Sequence, residues 1–443
     1  MKKILNLLFV IFFIFSSLFS DDLIVASDLL TPNLLNEILF EGQWLSVDSG
    51  VSYRIEALTV YNNQLIVGGS FLTANNTTVN YIAAWNGTSW IPLGTGMNDY
   101  VMALTVYDNK LVAGGFFTVA GGVSAHKIAV WDGASWSSLG SGAGDFVNAL
   151  AVYNGKLIAG GFFSTAGGIS ARNIAAWDGS NWEPIGTGVN DLILALYVYD
   201  DQLIVGGNFD SAGTIKADYI ALWDGSSWST MGSGMNSPVG ALTQFNNLLI
   251  AGGGFSIAGL VEARRIAAWD GFEWSALGEG LSGSYSGVRA LMVYENNLIV
   301  GGGFTSAGAV TANNIAAWDG TNWSPIGLGM NGWVRSLAVY NNCLFAGGYF
   351  TKADDKTVNY IASWNNVITC CVGFTGNADC SASEDPDITD ITTLIDHLYL
   401  SHKPLCCPEE ADTDGSGGAP DISDITKIID FLYLSHTPLA DCP

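Results

Sequence analysis

Short apolar runs of β-forming residues return along most of this chain, each broken by a polar pair and closed by glycines. ALTVYNNQLIVGGSF at 57–71 recurs as ALTVYDNKLVAGGFF at 103–117 and ALAVYNGKLIAGGFF at 149–163, and further copies start at 195, 241, 290 and 336. The spacing is 46 residues and widens once, to 49, between the fifth and sixth copies. Asn-Asn, Asp-Asn and Asn-Gly tolerate the positive φ of a tight turn, so each run predicts a hairpin. A second hairpin follows, as in IAVWDGASWSSLG at 128–140, with Asp-Gly at its turn in five copies and Asn-Gly in one. Four strands in 46 residues leave no room for a crossover helix. The pattern predicts one four-stranded antiparallel sheet per repeat, and seven such sheets close into a propeller.

The tryptophans predict how the ring closes. A first Trp ends each third strand, at Trp85, Trp131, Trp177, Trp223, Trp269, Trp318 and Trp364. A second opens each fourth strand, at Trp90, Trp136, Trp182, Trp228, Trp274 and Trp323, and is lacking after Trp364. Gln43-Trp44-Leu45-Ser46, ahead of the first repeat, carries the missing pattern. An N-terminal strand that completes the last sheet removes its open edge. These tryptophans read as packing residues, and Trp333 alone falls off the repeat.

ALAVYNGKLIAGG followed by IAAWDGSNW resembles a kelch repeat, and more closely the variant in fungal cortical cell-polarity marker proteins and bacterial secreted propellers. The resemblance covers residues 44–364. It departs in the extra Phe after the Gly doublet and in the Ile-Ala-Ala-Trp-Asp-Gly core. It implies a seven-bladed kelch-like β-propeller, a fold that hosts many functions.

Composition agrees with an all-β chain. There are 54 Gly in 443 residues and charged residues make up 13%, which suits short strands joined by tight turns. The net charge of -25 disfavours nucleic acid and an anionic membrane surface as partners, and favours cations. Residues 365–443 concentrate the acid, with 14 acidic and 2 basic residues. Lys2 and Lys3, the apolar stretch Ile4 to Phe19 and then Asp21-Asp22 read as a signal peptide over 1–20, followed by a linker over 21–43. No other run is long enough to span a bilayer, so the expectation is a secreted or cell-surface protein without a membrane span in the mature chain.

Antiparallel strands alternate direction, so the turns fall on two faces. The tight turns share one face and hardly vary, while the long connections share the other and differ in every copy. Loops on a rigid scaffold are the usual place for binding, and aromatic and Arg side chains are the usual anchors. The expected binding face comprises Tyr81, Tyr219, Arg265 and Tyr360, just ahead of the Ile-Ala core, with Tyr100, Phe146, Tyr285 and Trp333 between sheets. The plainer alternative is drift of loops around a packed scaffold. Catalysis finds little support. The propeller has one His, His126, and no Ser-His-Asp set is suggested. A carboxylate pair for glycoside hydrolysis stays open, although the repeated Asp132, Asp178, Asp224, Asp270 and Asp319 are turn residues first. No catalytic residue is assigned.

The last 74 residues hold a duplication. CCVGFTGNADCSASEDPDITDITTLIDHLYLSHKPL is followed by CCPEEADTDGSGGAPDISDITKIIDFLYLSHTPL. In each, an acidic loop precedes one apolar helix face, formed by Ile388, Ile391, Leu394, Ile395 and Leu398, then by Ile422, Ile425, Ile428, Ile429 and Leu432. Asp387 and Asp421 suit the helix N-caps. Asp412, Asp414 and Ser416 at alternate positions, with Asp424 to close the set, are like the oxygen ligands of a calcium loop. The first copy offers Asn377, Asp379, Ser381 and Asp390. A loop-plus-helix unit occurring twice resembles a type I dockerin. Two features depart: the loops span 13 and 14 residues from first to last ligand, and Ala382 replaces the turn Gly of the first copy. Calcium is therefore expected chiefly in the second loop. The resemblance implies calcium as cofactor, with Asp387 and Asp421 beside the two ligand sets, and docking onto a cohesin-like partner in a surface assembly. Cys370, Cys371, Cys380, Cys406, Cys407 and Cys442 also fall here, and in an exported chain they read as disulfides, in any of 15 pairings.

The chain is thus expected to be an all-β seven-bladed β-propeller over 44–364 with a small α-helical calcium-loop domain over 365–443. The expected role is a secreted, non-enzymatic binding or scaffold protein whose propeller takes a protein or glycan ligand. The alternatives are a carbohydrate-active enzyme on the same tether and a purely structural cell-surface protein.

Overall fold

A computed structural model describes residues 42–283, 287–365, 393–395 and 422–429. The signal peptide, Tyr285, the six clustered cysteines and every expected calcium ligand except Asp424 lie outside the described residues.

Among the described residues, seven four-stranded antiparallel sheets follow one another. In the first, Ile55–Tyr61 turns into Gln64–Gly69, which pairs with Ile82–Trp85 and then Trp90–Pro92. The turn residues Asn62 and Asn63 have φ of 48° and 55°, the left-handed geometry that the Asn-Asn pair supplies. The first strands of the seven sheets are Ile55–Tyr61, Val101–Tyr107, Val147–Tyr153, Ile193–Tyr199, Val239–Phe245, Gly287–Tyr294 and Val334–Tyr340. Each lies against the next, and the seventh lies against the first. This closed ring of sheets is a β-propeller.

The seventh sheet is completed from the other end of the propeller sequence. Gln43–Ser46 pairs with Ile361–Asn365, with Trp44 opposite Trp364. Their rings lie 5.2 Å apart and tilted, as in the six pairs formed within a repeat, which range from 5.0 to 5.5 Å. In five sheets the outer Trp also reaches back to the preceding sheet: Trp136 Nε1 donates to Leu93 O at 2.9 Å, and Trp44 Nε1 to Ile326 O at 3.2 Å, whereas Nε1 of Trp90 and of Trp228 is buried without a partner among the described residues. On the tight-turn face, Tyr340 OH donates to Asn63 O across the closing seam, as Tyr199 OH does to Asn247 O between sheets four and five.

The Gly doublet packs the ring. A Cβ on Gly68 would lie 2.6 Å from Val101 Cγ1 of the next sheet, and one on Gly69 would lie 2.2 Å from the Arg54 carbonyl oxygen. The first Gly therefore admits the neighbouring sheet and the second admits its own first strand. Two residues beyond the doublet stands a Phe in every copy, and Phe71, Phe117, Phe209, Phe304 and Phe350 are fully buried. Each contributes about 1.5–3 kcal/mol.

The turn aspartates behave as read. Asp132 Oδ1 accepts from Ala134 N and Ser135 N at 2.8 Å, and Asp178, Asp224 and Asp270 repeat the arrangement. Backbone donors hold the carboxyls of Asp132, Asp178 and Asp270 below the usual carboxylate range, and at Asp224 the Ser226 hydroxyl is the largest contributor. A depressed folded-state pKa adds stability that is fully present above the unfolded value near 4 and is lost as pH falls through the folded value. The melting temperature is therefore expected to hold from pH 7 to about 5 and to fall below about 4. In the first sheet Asn86 makes the same bonds, to Thr88 N and Ser89 N, without a charge. Changing the four aspartates to Asn should keep the turns and make the acid limb shallower, as thermal melts between pH 3 and 7 will read. An unchanged acid limb would mean that these carboxyls contribute nothing to it.

Beyond the propeller, Ile422–Ile429 is helical, with Ile425 and Ile428 buried and Lys427 exposed, in agreement with the apolar face expected there.

Candidate functional site

In each first strand the register shifts at one residue, as between Ile55 and Ala57, so Glu56 bulges out of the ladder. The corresponding residues are Met102, Asn148, Leu194, Gly240, Arg289 and Arg335. A bulge re-aims a side chain, and here seven bulges stand at the same end of seven adjacent first strands. They ring the mouth of the propeller axis on the long-connection face. The strands around them repeat, whereas this position differs in nearly every copy.

Two further positions surround the same mouth: the residue just ahead of each first strand and the residue that follows each Gly doublet. On sheets one to three they build a continuous aromatic arc. Tyr81 meets Tyr100 at 5.8 Å, Tyr100 meets Phe116 at 6.3 Å, Phe116 stacks on Phe146 at 4.4 Å, and Phe146 stacks on Phe162 at 6.1 Å. Tyr100 and Phe162 remain 45% and 47% exposed. A second group spans sheets seven and one. Trp333 stacks on Tyr349 at 6.0 Å, Arg54 lies 4.5 Å over the Tyr349 ring, and Tyr53 meets Tyr360 at 5.8 Å. Trp333 has room because Gly303 precedes it: a Cβ there would lie 2.9 Å from Trp333 Nε1. On sheets four to six the same positions hold Leu192, Asn208, Pro238, Gly254, Gly287 and Gly303. The rim of the mouth is aromatic on one side and small on the other.

Charge gathers at the mouth as well. Arg335 Nε donates to Glu56 Oε2 at 2.8 Å, with the Glu56 side chain 7% exposed, and Tyr349 OH donates to Glu56 Oε1. Burial first, and then the Glu56 charge, push the Tyr349 phenol up to about 12. Arg289 is half-buried, and its buried Nε has no hydrogen-bond partner among the described residues. Burial, followed by the charge of Arg335, pulls its pKa below the ordinary value.

The residues expected from sequence divide accordingly. Tyr81, Tyr100 and Phe146 join the aromatic arc, and Trp333 and Tyr360 join the second group. Tyr219 packs against the core of sheets four and five, as Tyr81 and Tyr360 do against theirs, but joins neither aromatic group. Arg265 is turned to the Gly283 carbonyl, with its other terminal nitrogen, Nη1, buried and unpaired. All seven residues ahead of the Ile-Ala core have φ between 64° and 71°. The cause is local: Tyr81 N donates to Phe71 O while Tyr81 O accepts from Gly69 N. Asn173 fits this conformation as a brace, accepting from Phe163 N and donating to Val189 O. Sequence reasoning missed Arg54, Glu56, Phe116, Phe162, Arg289, Arg335 and Tyr349. The signal available was an unrepeated residue inside a repeated strand.

No known protein family and no curated protein matches the sequence. Among solved structures, the chain is similar to the computationally designed Ika8 protein, at 20% identity over 73% of this chain and 99% of that one, with a TM-score of 0.46. It is similar to the WD40 β-propeller domain of Doa1, at 13% identity over 74% of this chain and 95% of that one, with a TM-score of 0.47. It is also similar to the extracellular domain of what is described as a hybrid two component system of B. thetaiotaomicron, at 11% identity over 73% of this chain and 39% of that one, with a TM-score of 0.47. Among the described residues no helix is long and apolar enough to cross a membrane.

Proposed function

We propose that this chain is a secreted, non-enzymatic binding or scaffold protein, in which a seven-bladed kelch-like propeller presents its long-connection face to a glycan or protein ligand. A dockerin-like, calcium-dependent module over 365–443 tethers it through a cohesin-like partner to a surface assembly. The observation that carries the binding role is the aromatic arc from Tyr81 to Phe162. Large aromatic rings left half in water around a cavity mouth are characteristic anchors of interfaces. Backbone strain supports the same reading. Tyr81 and Tyr360 keep large side chains at left-handed positions that Asn or Gly occupies at lower cost, and such outliers gather at functional sites. No catalytic acid is assigned: among the described residues Glu56 is the carboxylate at the seven bulge positions, and it is engaged by Arg335 and Tyr349, whereas glycoside hydrolysis calls for two carboxyl groups flanking one bond.

The test is a glycan array and an affinity capture of surface proteins with the full chain. A Tyr100→Ala, Phe146→Ala, Trp333→Ala variant is expected to lose binding at least tenfold. Phe272→Ala, at a tight turn of the opposite face, should leave it unchanged. Retention of binding by the triple variant would move the site off this face. Turnover of a glycan on the array would favour the enzyme alternative.

A further inference from the structure

We propose that Arg289, with Arg335 in the neighbouring sheet, receives the carboxylate of an acidic sugar at the mouth of the propeller axis. The inference rests on the binding-face reading above and names the ligand class. Three of the protein's 16 basic residues, Arg54, Arg289 and Arg335, gather on sheets six, seven and one with the carboxylate of Glu56 among them, while the rim carboxylates Asp99, Asp145 and Asp191 lie on sheets two to four. In a chain of net charge -25 this is a local reversal of sign.

The arginines are not equivalent. Arg335 is satisfied by Glu56 at 2.8 Å, and Arg54 is spread over the rings of Tyr349 and Tyr53. Arg289 has no such partner among the described residues, and its buried Nε donates to nothing. Space is kept for its head group by Gly240 of sheet five, where a Cβ would lie 3.3 Å from Arg289 Nη1 and 2.9 Å from the Val288 carbonyl oxygen. A guanidinium is charged at any ordinary pH and matches a carboxylate with two parallel bonds. A half-buried cation with a buried, unpaired Nε beside a second cation is therefore improved by an incoming anion, which supplies the missing bond and relieves the repulsion from Arg335.

The rest of the mouth selects the carrier. Trp333 and Tyr349 stack with their planes 15° apart beside the arginines, and flat ring faces suit the apolar C–H face of a sugar. An extended acidic peptide would instead be held by main-chain bonds to a free strand edge. Here each first strand is the inner edge of its sheet, and the first strands of the two neighbouring sheets flank it on either side.

The experiment is calorimetric titration of the full chain with a galacturonate trimer and with the uncharged galactose trimer. The acidic trimer is expected to bind at least tenfold more tightly. Arg289→Met should abolish that preference and Arg289→Lys should keep part of it, both with the melting temperature of the unaltered protein. Equal binding of the two trimers, or an undiminished preference in Arg289→Met, overturns the proposal while leaving the face as a binding platform. Preference for an oligo-aspartate peptide over both trimers overturns it in favour of an acidic protein ligand. Binding to neither trimer also overturns it, and the array with the triple aromatic variant then decides the platform reading by itself.

Discussion

Trp44→Ala is expected to destabilise the propeller by about 3–5 kcal/mol, the range for truncating a large buried aromatic. Trp44 is fully buried and belongs to the cluster that joins sheets six and seven. It also bonds the Ile326 carbonyl and faces Trp364. The same substitution at Trp136 removes similar packing from the middle of the ring. Trp44 sits in the strand that closes it, and the strand is held from the other end of the repeat array. Lys356 Nζ donates to Gln43 Oε1 at 2.6 Å, and Trp44 N donates to an Asp354 carboxylate oxygen at 3.2 Å. Removing residues up to 46 should therefore do more than the point change, because it bares the Ile361–Asn365 edge to other chains. The measurements are the urea midpoint and the elution volume. A truncated chain that stays monomeric with an unchanged midpoint would refute closure through this strand.

Calcium is expected to fold the C-terminal module, with a large gain in helicity and melting temperature for a 365–443 fragment. In the proposed site Asp412, Asp414 and Ser416 offer two carboxylates and a hydroxyl at alternate positions, and Asp424, in the first turn of Ile422–Ile429, offers a third carboxylate. Without a cation the carboxylates repel and the loop cannot hold the helix that follows. With calcium the loop closes, the apolar face of Ile422–Ile429 can pack, and binding energy becomes folding energy. Asp412→Ala should weaken calcium binding tenfold or more. Asn377→Ala should do less, since Asn377 is neutral and its loop is longer and lacks the turn Gly. Identical circular dichroism in calcium and in chelator would remove the metal and most of the dockerin-like reading.

The repeat made most of the fold legible. Six of the seven sheets are each encoded within about 46 consecutive residues, by turn pairs with positive φ, short apolar runs and two tryptophans on facing strands. The closing strand was legible too, because counting tryptophans leaves one half-unit short at the end and one spare at Trp44. The candidate face was legible in part. Tyr100 and Phe146 were found as variable aromatic residues in loops, but Phe116 and Phe162 were hidden in a segment that reads as strand, and Tyr219, whose loop looks like that of Tyr81, has Leu192 rather than an aromatic residue ahead of its first strand.

What the sequence by itself determined is therefore whatever depends on neighbours along the chain: the strands, their turns, the period and the helix face at Ile425 and Ile428. What only the tertiary structure decided is which single residues from distant repeats meet. Glu56 and Arg335 are 279 positions apart, yet they form an ion pair because closure of the ring makes sheets one and seven neighbours. Arg289 looks like one polar residue in an ordinary strand until a bulge takes it out of the ladder beside Arg335 and leaves its Nε buried. Local sequence carries the pleat and the turn. The charge balance of the axis mouth is a sum over seven sheets, and it exists only once the ring has closed.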